Sequence, residues 1–521
     1  MPVPARATLP SATELEKQFQ DVANQARAAN GLPPLMFDQA LAATARTWAG
    51  VMQANGSISH DPNLEGAATS IDPTWTKVGE NIGIGPEVAT LQAAWMASPS
   101  HRANILDGAY NRIGIGVVVA GGQIWVAVRF LAASPLAVGE FHPLTPTRIL
   151  DTRTGLGMAG GAAAPVLAGL ALPVKVSGLS GVPASQATAV ALNVTVINPT
   201  ATSHLTLYPK GSAQPPTSNI NFVAGQIVAN LADIRVGRDG SIEIMNSAGG
   251  LHLAIDIEGY WDDGIRSGGT RFTAVTPTRL LDTRTGNGLP GGVSAKVPPG
   301  GSIDVSITGR GPVPGTKVTA VVLNVTAVNG TTASHVTAWP TGLAKPLASM
   351  LNFRASEVVP NLVIVPIGTG GKVSLYNNSG SVDLIADVAG YYDDGTTVAA
   401  GHAAMDPRRV LDTRFGPGPL GKIGPGRVVT MPVRGVGGVA ADATAVVLNL
   451  TATGGTAATH LTVYPGDVSP PLASNLNVEA GQTKAVLAVV RVGADGTVKV
   501  RNNSGSVHVI LDIAAFHGSA A

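Results

Sequence analysis

The sequence predicts a multidomain chain: an N-terminal α+β domain built as an α-β-α sandwich, followed by three all-β sandwich repeats of jelly-roll-like architecture. Three observations predict it. A segment beginning Pro146-Thr-Arg148-Ile-Leu-Asp151-Thr-Arg153 returns as Pro277-Thr-Arg279-Leu-Leu-Asp282-Thr-Arg284 and again as Pro407-Arg-Arg409-Val-Leu-Asp412-Thr-Arg414. Each copy then sets a histidine and an aspartate at one unchanged spacing, as His204 and Asp256, His335 and Asp387, His460 and Asp512. A spacing kept three times without insertion marks three copies of one fold, with a period of about 130 residues. Finally, helical periodicity is confined to the residues before the first copy, which leaves one distinct domain there.

The distinct segment is read from its caps and stripes. Thr13 with Glu16 forms a capping box, and Leu15, Phe19, Val22 and Ala26 follow at helical spacing until Asn30-Gly31. Asp38 caps a second helix whose Leu41, Ala45, Trp48 and Met52 make one apolar stripe, and a third follows Pro86 with Val88, Leu91 and Trp95 inward. Two strands around Gly121-Gly122 read as a hairpin. Helices beside a small antiparallel sheet give the sandwich.

The copies read instead as many short strands separated by Gly, Pro, Asn and Asp, for example 189–196, 204–208, 227–235, 241–245 and 252–258. The expected domains are 8–135, 138–264, 268–396 and 401–518, with boundaries near residues 265 and 398 in short linkers. Linkers so short restrict bending, so an elongated stalk is expected.

Composition narrows the function classes. Aromatic residues are 4% and charged residues 13%, while Gly numbers 64 and Pro 37, a profile of tight turns and aliphatic strands. A net charge of +1 with no concentrated basic surface argues against nucleic acid as a partner. The absence of cysteine excludes disulfides, cysteine-based zinc sites and thiol nucleophiles. No apolar run is long enough to span a membrane. The opening Met-Pro-Val-Pro-Ala-Arg-Ala-Thr lacks a signal-peptide pattern, and the expectation is a form from which the signal has been removed.

Polar residues interrupt the N-terminal scaffold at Ser59-His60, Gly79-Glu80-Asn81-Ile82 and Trp95-x-x-Ser98-x-x-His101-Arg. Together with Asn24-x-x-Arg27, Gly31-Leu-Pro-Pro-Leu35 and Ile113-Gly-Ile-Gly116 they give residues 10–132 a pattern that resembles the CAP superfamily, the cysteine-rich secretory, antigen 5 and pathogenesis-related 1 proteins, in its bacterial extracellular form. The resemblance implies a cleft lined by two histidines and two glutamates. His60 and His101 match the histidines and Glu80 one glutamate; the second has no counterpart, its place being taken by Ser98, with Glu87 a weak substitute. Asn81 and Ser98 join the three as cleft residues. Neutral imidazoles and a carboxylate suit a divalent ion such as zinc, with His60, Glu80 and His101 as the ligands. The alternative is that all three are polar residues satisfied by hydrogen bonds. A Ser-His-acid hydrolase using Ser98 or Ser100 with His101 lacks a nucleophile elbow around either serine, and the missing glutamate favours binding, of a small lipid or peptide, over catalysis.

In the copies, Asp151 and Arg153 share one strand face while Arg148 points to the other, and Asp282 with Arg284 and Arg279, and Asp412 with Arg414 and Arg409, repeat the arrangement. A ligand or Ca²⁺ site is conceivable, but capping and pairing at the start of each strand is the commoner use. The His/Asp sets read as polar fasteners, and the Asn-x-Thr triplets at Asn193, Asn324 and Asn449 as structural because they lie inside strands. The repeats resemble modules common in secreted actinobacterial proteins, which implies cell-surface placement without a defined activity. The resulting expectation is an extracellular or wall-associated protein whose head is displayed on repeats bound to envelope glycan or another surface protein. The rivals are a metal-assisted or acid/base hydrolase in the head and lectin modules in the repeats.

Overall fold

The computed structural model describes residues 9–32, 35–72, 75–132, 138–212, 214–237, 239–264, 268–394, 400–416, 418–436 and 438–518. The expected boundaries near 135, 265 and 398 lie outside them. The chain divides into two compact units, Met1–Pro135 with Gly211–Pro215, and Leu136–Lys210 with Pro216–Ala521.

In the first unit, helices α1 (Ala12–Ala28), α2 (Gln39–Asn55), α3 (Leu64–Ile71), α4 (Val88–Ala97) and α5 (Pro99–Leu106) enclose a sheet of β1 (Met36–Phe37), β2 (Lys77–Gly85), β3 (Arg112–Ala120) and β4 (Gln123–Ala132). The strand order is β1-β3-β4-β2, with β1 parallel to β3 and the rest antiparallel. The cap of α1 is Ser11, whose hydroxyl accepts from Glu14 N–H, and not Thr13, which lies inside the helix. Asp38 caps α2 as expected, accepting from Ala40 and Leu41 N–H. The alternation of β4 divides the core between the two faces of the sheet. Ile124, Val126, Val128 and Phe130 pack with α1 and α4, whereas Trp125, Ala127 and Leu131 pack with α2 and α3. Helix α2 lies directly on β3: a Cβ at Gly116 would stand 2.0 Å from Arg46 N, so only glycine permits this approach.

The second unit is all β, arranged as three pairs of sheets. In the first sequence copy the strands run Ile227–Arg235, Ala189–Ile197, Gly250–Trp261, Phe141–Asp151 in one sheet and Ile220–Phe222, Ser203–Pro209, Ser241–Asn246, Ala171–Lys175 in the other. The same order recurs in the other two copies. Each pair closes on its own aliphatic core, to which Val190, Leu192, Val194, Leu205, Leu207 and Ile244 contribute in the first copy. Chain continuity alone does not join the copies. Ala191, Leu231, Val322, Leu362, Val447 and Leu487, two from each copy, belong to one further buried cluster that the three copies share.

A ring of hydrogen bonds surrounds that cluster. Asn193 Nδ2 donates to Ser349 O in the second copy (2.7 Å), Asn324 to Ser474 O in the third (2.8 Å), and Asn449 to Ser218 O in the first (2.5 Å). A heterologous contact repeated three times that returns to its origin is a closed threefold ring. At its centre six rings touch in succession: Phe141–Trp261 (5.0 Å), Trp261–His402 (4.1 Å), His402–His517 (5.1 Å), His517–Phe272 (4.3 Å), Phe272–Tyr392 (5.1 Å) and Tyr392–Phe141 (4.4 Å). The copies are therefore not strung in line as the stalk expectation had them. Burial of apolar residues on both faces of strands such as Ala189–Ile197 draws them onto one axis.

Candidate functional site

Strand β2 is the edge of the N-terminal sheet, and its consecutive residues Glu80 and Asn81 point to opposite faces. Each serves one histidine. On the α2 side Glu80, almost fully buried, accepts from His60 Nδ1 and from Asp61 N–H, both 3.0 Å, through Oε1. Its Oε2 accepts from Arg129 Nε (3.3 Å), and Arg129, 1% exposed, also pairs with Asp61 through Nη2. Trp48 on α2 donates to Ser59 O (2.8 Å) and pins the chain just before His60. The imidazole itself remains 60% exposed. Because a carboxylate accepts, His60 donates from Nδ1 and its Nε2 points away from Glu80.

On the other side Asn81 Nδ2 donates to His101 O (3.0 Å), and Asn104 Nδ2 donates to Asn81 Oδ1 (2.9 Å) and Glu80 O (3.2 Å). These bonds fix α5 against β2. Gly79 makes room for them, since a Cβ there would lie 2.8 Å from Asn104 Oδ1. Arg27, fully buried, donates to Ile105 O (3.0 Å), Asp107 O (2.8 Å) and Tyr110 O (3.2 Å), holding the segment after α5. His101 Nδ1 lies 2.9 Å from Ser98 Oγ. Burial lowers the His101 pKa, and His60 lowers it further.

The sequence thus brings His60, Glu80, Asn81, Ser98 and His101 into one neighbourhood. It did not reveal Arg129 and Asp61. The signal for Arg129 was available in β4, where an arginine sits at a position whose alternation demands an inward side chain. Arg129 Nη1 is buried with no partner among the described residues. Glu87 precedes α4, where its carboxylate accepts from Thr90 Oγ1 (3.0 Å) without bonding a backbone N–H of the first turn.

The donors do not fit a metal centre. Glu80 is committed to His60, Asp61 and Arg129, which leaves two imidazoles where zinc sites use three or four protein ligands. Among the described residues no three His, Asp or Glu side chains group in a way that would hold a metal ion.

In the β unit, Arg148 Nε and Nη2 grip Asp256 (2.7 and 3.2 Å), and Nη1 reaches Asp151 (3.1 Å). Arg153 takes Asp151 from the other side at 2.9 and 2.6 Å, holding that carboxyl down at about 2. The expectation that Arg148 and Asp151 face apart is corrected by a register shift between Arg148 and Leu150, where one extra residue returns both to one side. Arg279 with Asp282, Arg284 and Asp387, and Arg409 with Asp412, Arg414 and Asp512, repeat every pairing. Each first arginine then crosses to the next copy, at Leu347 O, Leu472 O and Pro216 O (3.1, 3.1 and 2.7 Å). The aspartates are thus paired with arginine and not with His204, His335 or His460, each of which burial lowers.

These geometries define an α+β domain with helices on both faces of its sheet, followed by a large all-β region of several sheets. Residues 20–128 match the family model of CAP, the cysteine-rich secretory protein family. The N-terminal domain is CAP-like. The uncharacterised protein YkwD of Bacillus subtilis (strain 168) is 32% identical over 120 residues, covering 22% of this chain and 46% of that one; the chain thus spans about half the length of this curated relative. Among solved structures, an extracellular SCP-domain protein from Bacillus anthracis str. Ames is 26% identical over 24% of this chain and 45% of that chain (TM-score 0.21). An outer surface protein from Borrelia burgdorferi is 20% identical over 24% of this chain and 97% of that chain (TM-score 0.22). Among the described residues no helix is long and apolar enough to cross a membrane.

Proposed function

We propose that the N-terminal domain is an extracellular ligand-binding head whose site is the cleft around His60 and His101. The β region, as three sandwich modules closed on one another, presents this head at a bacterial surface by attachment to envelope glycan or another surface protein. One observation supports the head above all others. An exposed imidazole is hydrogen-bonded to a buried Glu80–Arg129–Asp61 base. Side chains locked this way are preorganised for a ligand, because binding then costs little ordering entropy. The secretory character of the matched family supports the location. A small lipid or a peptide suits an open cleft with two imidazole acceptors and a hydroxyl. Adding phosphatidylcholine vesicles or an unstructured peptide mixture while following the His60 and His101 imidazole resonances tests the head. Shifts confined to these rings are expected, and the absence of shifts with both probes would overturn it. Cosedimentation of the full chain with purified bacterial walls tests attachment, and failure to sediment would remove that half.

The Ser98–His101 contact favours a second reading, hydrolysis of an ester or peptide. A serine hydroxyl 2.9 Å from an imidazole has the geometry of a nucleophile and its base. Among the described residues, however, no carboxylate hydrogen-bonds His101. If the head is a hydrolase, an activated acyl ester is turned over and Ser98→Ala abolishes the turnover.

A further inference from the structure

The three junctions between copies share one backbone design but differ in chemistry, and one is unlike the others. Between the second and third copies lies a cavity of about 200 Å³, room for about six waters. Glu357 of the second copy lines it, facing Thr459, Asn477, Glu479, Gln482 and Lys484 of the third. Lys484 occupies the position of Val228 and Val359 in the other copies, as the pairing of each with the strand residue three beyond Asn193, Asn324 or Asn449 shows. At Glu479 the other copies carry Val223 and Arg354, and at Glu357 they carry Gln226 and Gln482. A lysine and two glutamates lining one gap therefore occur together at this junction alone.

The lysine is 5% exposed, yet its one ion pair among the described residues, to Glu357 Oε1, spans 3.7 Å, longer than a hydrogen bond. Glu357 is turned to its own loop, where Oε2 accepts from Arg354 N–H (3.0 Å). Burial presses Lys484 below its ordinary value while Glu357 and Glu479 draw it back up. A buried ammonium with three donors, whose one carboxylate within ion-pair reach among the described residues stands at 3.7 Å, is costly to keep, and its replacement by an apolar residue would stabilise a purely structural junction.

We propose that this cavity is a binding site for a hydroxyl-rich ligand of monosaccharide size, with Lys484 donating to ring or hydroxyl oxygens and Glu357, Glu479 and Asn477 meeting hydroxyl or amine hydrogens. Among the described residues no aromatic ring lines it, so the sugar is held by its polar edge and not by a stacked face. The two carboxylates against one lysine favour an amino sugar over an acidic one. The site gives the glycan half of the attachment reading a specific address, and it is independent of the head.

Saturation-transfer NMR of the full chain with D-glucosamine, D-glucose and D-glucuronate at millimolar concentration tests this. Glucosamine should bind, glucose more weakly and glucuronate least, and Lys484→Met and Glu479→Gln should each weaken glucosamine by about tenfold or more. His60→Ala should leave it unchanged, which separates this site from the head. Lys484→Met should unfold no more readily than the parent, so loss of signal is not loss of fold. No transfer to any of the three sugars, or transfer that survives Lys484→Met, would overturn the proposal and leave a water-filled gap.

Discussion

Arg148 Nη2 lies 3.1 Å from Leu347 O, so the residue that opens the first sequence copy is fastened to the second. The same guanidinium neutralises Asp256, whose side chain is fully buried. Arg148→Ala leaves that carboxylate unpaired and frees the neighbouring carbonyl. Loss of one partner of a buried pair costs about 3–5 kcal/mol, which urea unfolding of the full chain would register. Arg148→Lys keeps the charge but loses the fork, and should recover only part of it.

Inter-copy bonds at one buried layer are incomplete. Leu231 N–H donates to Asn361 Oδ1 (3.3 Å) and Leu487 N–H to Asn230 Oδ1 (3.2 Å), but the third copy carries Val486 at the equivalent place. Asn230→Val should cost about 1–3 kcal/mol for each polar group it orphans. Val486→Asn should close the third bond, and a raised urea midpoint would register it.

Glu258, where the other copies have Ala389 and Ala514, is pushed up to about 8 by burial. Its folded value lies above its ordinary 4.5, so the native state holds a proton that the unfolded chain releases. The stability it contributes is fully present below 4.5 and lost as pH rises through about 8. Glu258→Gln should flatten the fall in thermal midpoint over that interval.

His517 sets the opposite slope. Burial drives it well below 6.5, His402 adds to the effect, and Phe272 and Tyr392 pack against the ring. Its native form is neutral, so stability is present above 6.5 and lost as pH falls below it. His517→Tyr, matching Tyr392 in the second copy, should remove this acid loss in a pH series of thermal melts.

Much of this was legible in residues. The Arg-x-x-Asp-x-Arg copies announced their strands and local pairing, and Asp38, Val88, Leu91 and Trp95 placed two helices of the head. Helices α3 and α5 were missed because they are short and carry no sustained stripe. The closure of the copies was missed although runs such as Ala189-Val-Ala-Leu-Asn-Val-Thr-Val carry apolar residues on both faces, the mark of a strand buried twice. Alternation says that a second face is covered, but it does not name the cover. Arg148 reaching Asp151 depended on a bulge, which side-chain period alone does not reveal.

The head's two histidines form one site only if each feels the other. NMR titration of the His101 ring in the full chain and in His60→Ala is the most direct measurement. Removing His60 deletes one of the two causes that lower His101, so its pKa should rise towards 6.5 while burial still holds it below. An unchanged His101 titration would place the imidazoles in separate environments and contradict the single-cleft account.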